Sequence, residues 1–230
     1  MRTYLGSTVV AVCSLLVLAS PARAQQTVNF TIGGFVPRGE DARVAGDVLN
    51  ANRTFLTFEV DEFKSASVGG EWLFPIGTFA EGGAGISFTR RTVPSVYTAY
   101  VDNSGNEIEQ ELRLRRVPID LTLRFTPLGQ SSPVQVYFGG GLSVIPWRYS
   151  ESGDFIDFGN NGNVFRANYV ATGTSTGGVA LAGIRFQSRG AAGGFEVKYH
   201  KADGELNSDF EGDRIDLGGW TYQATIGVRF

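Results

Sequence analysis

An eight-stranded antiparallel up-and-down transmembrane β-barrel is the all-β fold that this 230-residue sequence predicts, on three observations. Apolar residues recur at every second position in segment after segment, with no sustained 3.6-residue period, so the chain reads as strands. The connections between those segments alternate long, short, long, short, long, short, long. An up-and-down barrel produces that order by sorting loops to one rim and turns to the other. One face of each segment is apolar or aromatic and the other is polar, charged or glycine, the apolar-out, polar-in arrangement of a barrel whose exterior meets lipid.

The chain opens on MRTYLGSTVVAVCSLLVLASPARA. Arg2, an apolar stretch from about Val9 to Ala19 and the Ala22-Arg23-Ala24 ending make a secretory signal peptide over 1–24, cleaved after Ala24. Its apolar run is too short to span a ~30 Å hydrocarbon core as a helix. The barrel domain is then 25–230. Cleavage removes the only Cys and the only Met, so the exported chain has no disulfide or thiol chemistry. It also shifts the net charge from −3 to −5, which gives no electrostatic case for a nucleic-acid partner.

Strands follow in order: 28–36, 65–74, 79–91, 111–125, 134–147, 176–186, 193–201 and 220–230. The short connections are 75–78, 126–133 and 187–192. The long, polar ones are 37–64, 92–110, 148–175 and 202–219. In the fourth strand Val117, Ile119, Leu121, Leu123 and Phe125 alternate with Pro118, Asp120, Thr122 and Arg124. Leu112 and Leu114 fall out of phase with that apolar set, which predicts a bulge near Arg115–Arg116 or a strand leaving the membrane there. The last strand, WTYQATIGVRF, should turn Tyr222, Ile226, Val228 and Phe230 to lipid and pair with the first strand to close the barrel.

These features resemble the small outer-membrane β-barrel proteins of the OmpA-transmembrane, OmpX and OmpW-like group, as pattern over the whole exported chain. The resemblance implies residence in the cell outer membrane as a monomer. It also implies an assembly signal in the final strand, read by the barrel-assembly machinery. Phe230, Val228 and the upstream polar Gln223 match that signal, whereas Thr225 stands where its glycine is expected.

The inward positions include Glu71, Glu81, Asp120, Arg124, Arg185, Glu196 and Lys198. An eight-stranded barrel has room inside for little beyond side chains, so these charges must pair. The pairing is either a plug that fixes register or a gate that opens a narrow water path. Arg90, Arg91, Arg113, Arg115 and Arg116 flank the second long connection at the outer rim. They would contact lipopolysaccharide phosphates, which guanidinium groups bind bidentately, or pair with Glu107, Glu109 and Glu111. His200, the only histidine, lacks a nucleophile two residues on, where Ala202 stands, so no catalytic residues are assigned and the chain is not read as an enzyme. The glycine clusters complete no phosphate loop. The acidic run 203–213 fails as a calcium loop, with Ser208 at its sixth position and Arg214 at its twelfth. No metal or cofactor is expected. The sequence therefore points to a structural and surface-interaction barrel, with a narrow gated pore or passive transporter for small solutes as the alternative.

Overall fold

A computed structural model describes residues 26–159 and 162–230; the expected signal peptide lies outside them. Eight long strands form one antiparallel ring. They are β1 (Thr27–Pro37), β2 (Ser65–Pro75), β3 (Ala80–Val101), β4 (two segments, Glu107–Arg116 and Ile119–Phe125), β5 (Val134–Asp157), β6 (Asn163–Gln187), β7 (Ala191–Lys201) and β8 (Gly219–Arg229). Each strand pairs with its neighbour in sequence, and β8 pairs with β1 from Thr27↔Arg229 to Pro37↔Gly219. Closure satisfies both edges, as a barrel in hydrocarbon requires.

The outside carries an apolar girdle. Leu142 and Ile226 are 72% and 70% exposed, and every strand adds outward apolar residues at period two. So much exposed hydrocarbon on a closed ring suits a bilayer and not water. From Phe125 to Val117 the girdle rises roughly 20 Å along a tilted strand. Trp72 at one end and Trp220 with Tyr199 at the other mark its margins, the two rings of the latter pair 4.7 Å apart.

The short turns at 76–79, 126–133 and 188–190 lie on one rim with Gln26 and Phe230. On the other rim two of the expected long loops are largely strand. β3 and β4 continue to a tight turn at 102–106, and β5 and β6, of 24 and 25 residues, continue as one hairpin nearly to residue 160. Their many polar residues have a loop-like composition, but most of them sit on the outward face, and the inward face is mainly apolar with Ser95, Gln110 and Glu151 buried among it.

No bulge interrupts β4 near Arg115–Arg116. Thr89↔Arg116 and Ile86↔Ile119 share one register, as do Arg116↔Trp147 and Ile119↔Val144. The gap between the two segments falls at Pro118, which has no N–H to donate, and its carbonyl still accepts from Ser87 N at 3.0 Å. Even-numbered residues point inward from Ile108 to Arg124 without a slip. What inverts is polarity: inside, Leu112 and Leu114 give way to Asp120 and Arg124, while outside, Arg113 and Arg115 give way to Ile119 and Leu121. The strand leaves the membrane at that point. The register shift in this ladder lies farther out, between Val96 and Val101.

The extensions of β3–β6 therefore build a wall with an apolar inner face. The segments 38–64 and 202–218 fold against it and bury Leu49, Leu56, Phe63, Ile215 and Leu217 with Leu112, Ile145 and Trp147. The first segment contains α1 (Val48–Asn52), started by Asp47, whose carboxylate accepts from Leu49 N and Asn50 N. Five residues cannot hold a helix alone, so burial of Val48, Leu49 and Asn52 keeps it. Trp147 and Tyr149 are core residues of this plug. Gly173 and Gly204 flank the Trp147 indole, where a Cβ on either would meet the ring at 2.7 or 2.5 Å.

Candidate functional site

Two ionic layers and one charged outer face are candidates for function. The lower layer fills the lumen within the girdle. Glu71 of β2, Glu81 of β3, Asp120 and Arg124 of β4, Arg185 of β6, and Glu196 and Lys198 of β7 all point inward, because each occupies the polar parity of its strand. The structure brings all seven into one cluster. Arg124 pairs with Glu71, with Glu196 at 2.8 Å and with Glu81 at 3.9 Å. Arg185 grips Glu81 with two nitrogens, at 2.7 and 3.2 Å, and its Nε donates to Gln135 at 2.9 Å. Lys198 lies 3.3 Å from Asp120 and 3.5 Å from both Glu71 and Glu196. Gln223, assigned to the assembly signal, also points inward and donates to Glu196 at 2.9 Å. Charges this desolvated persist only in a cluster with both signs represented.

His200 sits at the top of this layer with Nε2 3.0 Å from Asp120. Ser143 donates to the same carboxylate oxygen at 2.7 Å. The carboxylate thus stands between serine and histidine, so the imidazole is not placed to take the serine proton, as a triad requires.

The upper layer ties the plug together. Arg43 donates to both Asp47 oxygens at 2.6 and 2.9 Å, with both side chains fully buried. Asp47 also accepts from Asp216 N, and the Asp216 carboxylate accepts from Arg38, Val44 N and Gly218 N. One latch therefore joins the first long segment to the last. A second contact joins α1 to β5: Asn52 Nδ2 donates to Glu151 at 2.6 Å, and Tyr149 Oη donates to the same oxygen at 2.8 Å. Burial is the main cause that raises the Glu151 pKa above the ordinary carboxylate range.

The five rim arginines divide among three environments. Arg116 faces inward, 1% exposed, with its guanidinium over the Phe35 ring at 3.9 Å. It is removed from any outer contact, because its even position in β4 belongs to the inner face. Arg91 also holds an inner position and donates to the Glu62 carbonyl at 2.8 Å, serving the plug. Arg90, Arg113 and Arg115 remain on the outer face, and the fold adds Arg148 and Arg166. Arg90, Arg115 and Arg148 are directly paired across β3, β4 and β5. They form a row above the Ile86–Ile119–Val144 row of the girdle, with Phe88, Val117 and Pro146 between the two. Among the described residues none of these three makes an ion pair; Arg113, one row higher, reaches Glu111 at 3.4 Å. A groove of about 1270 Å³ covers this face.

No protein-family model matches the chain, and no curated protein sequence does. Among solved structures, the outer membrane protein OprG from Pseudomonas aeruginosa is 13% identical. It aligns over 90% of this chain and 96% of its own, with a TM-score of 0.53. The fold is that of the small outer-membrane β-barrels. Ail, the attachment invasion locus protein of Yersinia pestis, aligns over 90% of this chain and 99% of its own at 10% identity and a TM-score of 0.47. Neisserial surface protein A aligns over 89% and 95% at 14% identity and a TM-score of 0.43.

Sequence reading passed over Arg148, Arg166, the Arg43–Asp47–Asp216 latch and the Glu151 clamp, all inside segments taken as loops. The signal that finds Arg148 and Glu151 is the parity of Arg148, Ser150 and Ser152 against Trp147, Tyr149 and Glu151, which continues β5 past Trp147; the latch residues carry no such period.

Proposed function

We propose that this chain is an integral outer-membrane protein whose outer face gathers the phosphates of lipopolysaccharide, with a structural and surface-interaction role. The observation that carries the reading is the Arg90–Arg115–Arg148 row. Like charges directly opposite one another on adjacent strands repel, and among the described residues no carboxylate comes within ion-pair distance of these three, Glu109, Glu111 and Asp154 lying farther along the same groove. An array of phosphates at the headgroup level does so, through charge-assisted, bidentate hydrogen bonds. Insertion by the barrel-assembly machinery, with Gln223, Val228 and Phe230 in the final strand as its signal, belongs to the same proposal. The two stacked fillings of the barrel, ionic below and apolar above, support a non-conducting body over the pore alternative.

The test is binding of the refolded chain to lipopolysaccharide in detergent. Each Arg→Gln change at 90, 115 or 148 should weaken binding about tenfold, the loss of ~1.5 kcal/mol from one charge-assisted bond. Arg189→Gln, in a turn on the opposite rim, should leave it unchanged, and dephosphorylated lipid should bind the unaltered chain as weakly as the triple variant does. Undiminished binding by a triple variant that still shows heat-modifiable gel migration would remove the arginines from the role.

A further inference from the structure

The inner face of the β3–β6 wall ends, far above the girdle, in a second cavity of about 740 Å³. Its walls are aromatic. Tyr97, Tyr100 and Phe158 touch in series, with ring centroids 6.3 and 5.4 Å apart, and Phe165, Phe155 and Tyr169 form a second series at 6.0 and 5.0 Å. Tyr100 and Phe158 are 47% and 63% exposed, beyond the arginine row on the extended strands. The charged residues lining the cavity are Glu151, Asp209 and Glu211, with no Lys or Arg among its described lining.

One buried group is unsatisfied at this wall. Gln110 is buried in the wall, lining this cavity on one side and the arginine groove on the other, and among the described residues its Oε1 has no hydrogen-bond partner. Its Nε2 donates to Tyr97 Oη at 3.2 Å and to the Asp154 carbonyl at 3.1 Å. The carbonyl can only accept, so the amide orientation is fixed and the free atom is an acceptor. Leaving such an atom unpaired is costly, and the missing partner is a donor.

We propose that this cavity binds a protonated organic amine carrying an apolar body. The ring faces attract a cation and cover the apolar part. The carboxylates supply the counter-charge, and an N–H of the ammonium completes Gln110 Oε1. That last contact separates a protonated amine from a quaternary ammonium, which has no proton to give. The site faces away from the arginine row and is independent of lipopolysaccharide binding.

The experiment is calorimetric titration of the refolded chain in micelles, corrected against empty micelles, with four probes at neutral pH: phenethylamine, benzyltrimethylammonium, 2-phenylethanol and methyl glucoside. Saturable binding of phenethylamine, at least tenfold tighter than any other probe, is expected. Glu211→Gln and Tyr100→Ala, both at exposed positions, should each weaken it several-fold while heat-modifiable migration is retained. Equal binding of 2-phenylethanol would make the cavity merely apolar. Equal binding of benzyltrimethylammonium would remove Gln110 from the site. Preference for the glucoside, or binding of none of the four, would also overturn the proposal.

Discussion

Arg124 touches three carboxylates on three other strands, so its substitution tests whether the lumen cluster holds the barrel together. Arg124→Ala should cost about 3–5 kcal/mol in denaturant unfolding from micelles, because the acids it leaves are buried without their cation. Glu196→Ala should cost less, since Arg124 keeps Glu71 and Lys198 keeps Asp120. Equal, negligible effects of the two would show that water enters the cluster. Glu151 gives a pH effect of defined sign. Its pKa in the fold is raised, so between the unfolded value and the folded one the native state holds the proton more tightly. Stability of the α1–β5 contact therefore falls as pH rises through that window and returns as pH is lowered. Proteolysis of 38–64 should slow on acidification from neutral pH toward the ordinary carboxylate range, and Glu151→Gln should abolish the dependence.

At the scale of elements, β4 shows what was legible in the sequence and what was not. Alternation placed Asp120 and Arg124 inside and Leu121 and Leu123 outside, because a strand's side chains have no other option. The same alternation continued through Leu112 and Leu114, but there the environment exchanged sides and the pattern resembled a slip of register. Period alone cannot separate a one-residue slip from a reversal of which face is dry. The strand bounds are longer than the alternation suggests for the same reason: in 92–110 and 148–175 the outer face is mostly polar, and the inner face mixes apolar residues with buried Ser95, Gln110, Glu151 and Ser175. Inward parity also says nothing about which charges meet, so the pairing of Arg185 with Glu81, 104 positions apart, was not readable. The plug is held to this wall by the latch. Asp47→Ala removes a helix cap and leaves Arg43 buried without its partner, so protease should cut 38–64 at least tenfold faster while the girdle region stays folded. An unchanged cutting rate would mean that apolar packing alone retains the plug.

The whole molecule is closed twice. The refolded chain should be silent in planar bilayers, and removal of 39–62 should leave it silent, because the ionic layer below still fills the lumen. Conductance should need that deletion together with Glu71→Ala or Arg124→Ala. Discrete openings of the unaltered chain would sink the sealed-barrel reading and restore the pore. The closed ring also has a consequence for its surroundings. Only β3–β6, half the circumference, rise well above the girdle, and the arginine row occupies three adjacent strands of that half. The barrel thus has a front and a back within the membrane plane. If the arginine row gathers phosphate as proposed, its shell of neighbouring lipids is not uniform: one flank holds phosphate, while the opposite flank, along β1 and β8, offers only a low apolar wall. On that reading a copy turning in the membrane carries an oriented patch of anionic lipid with it, a heading that an evenly decorated cylinder would lack.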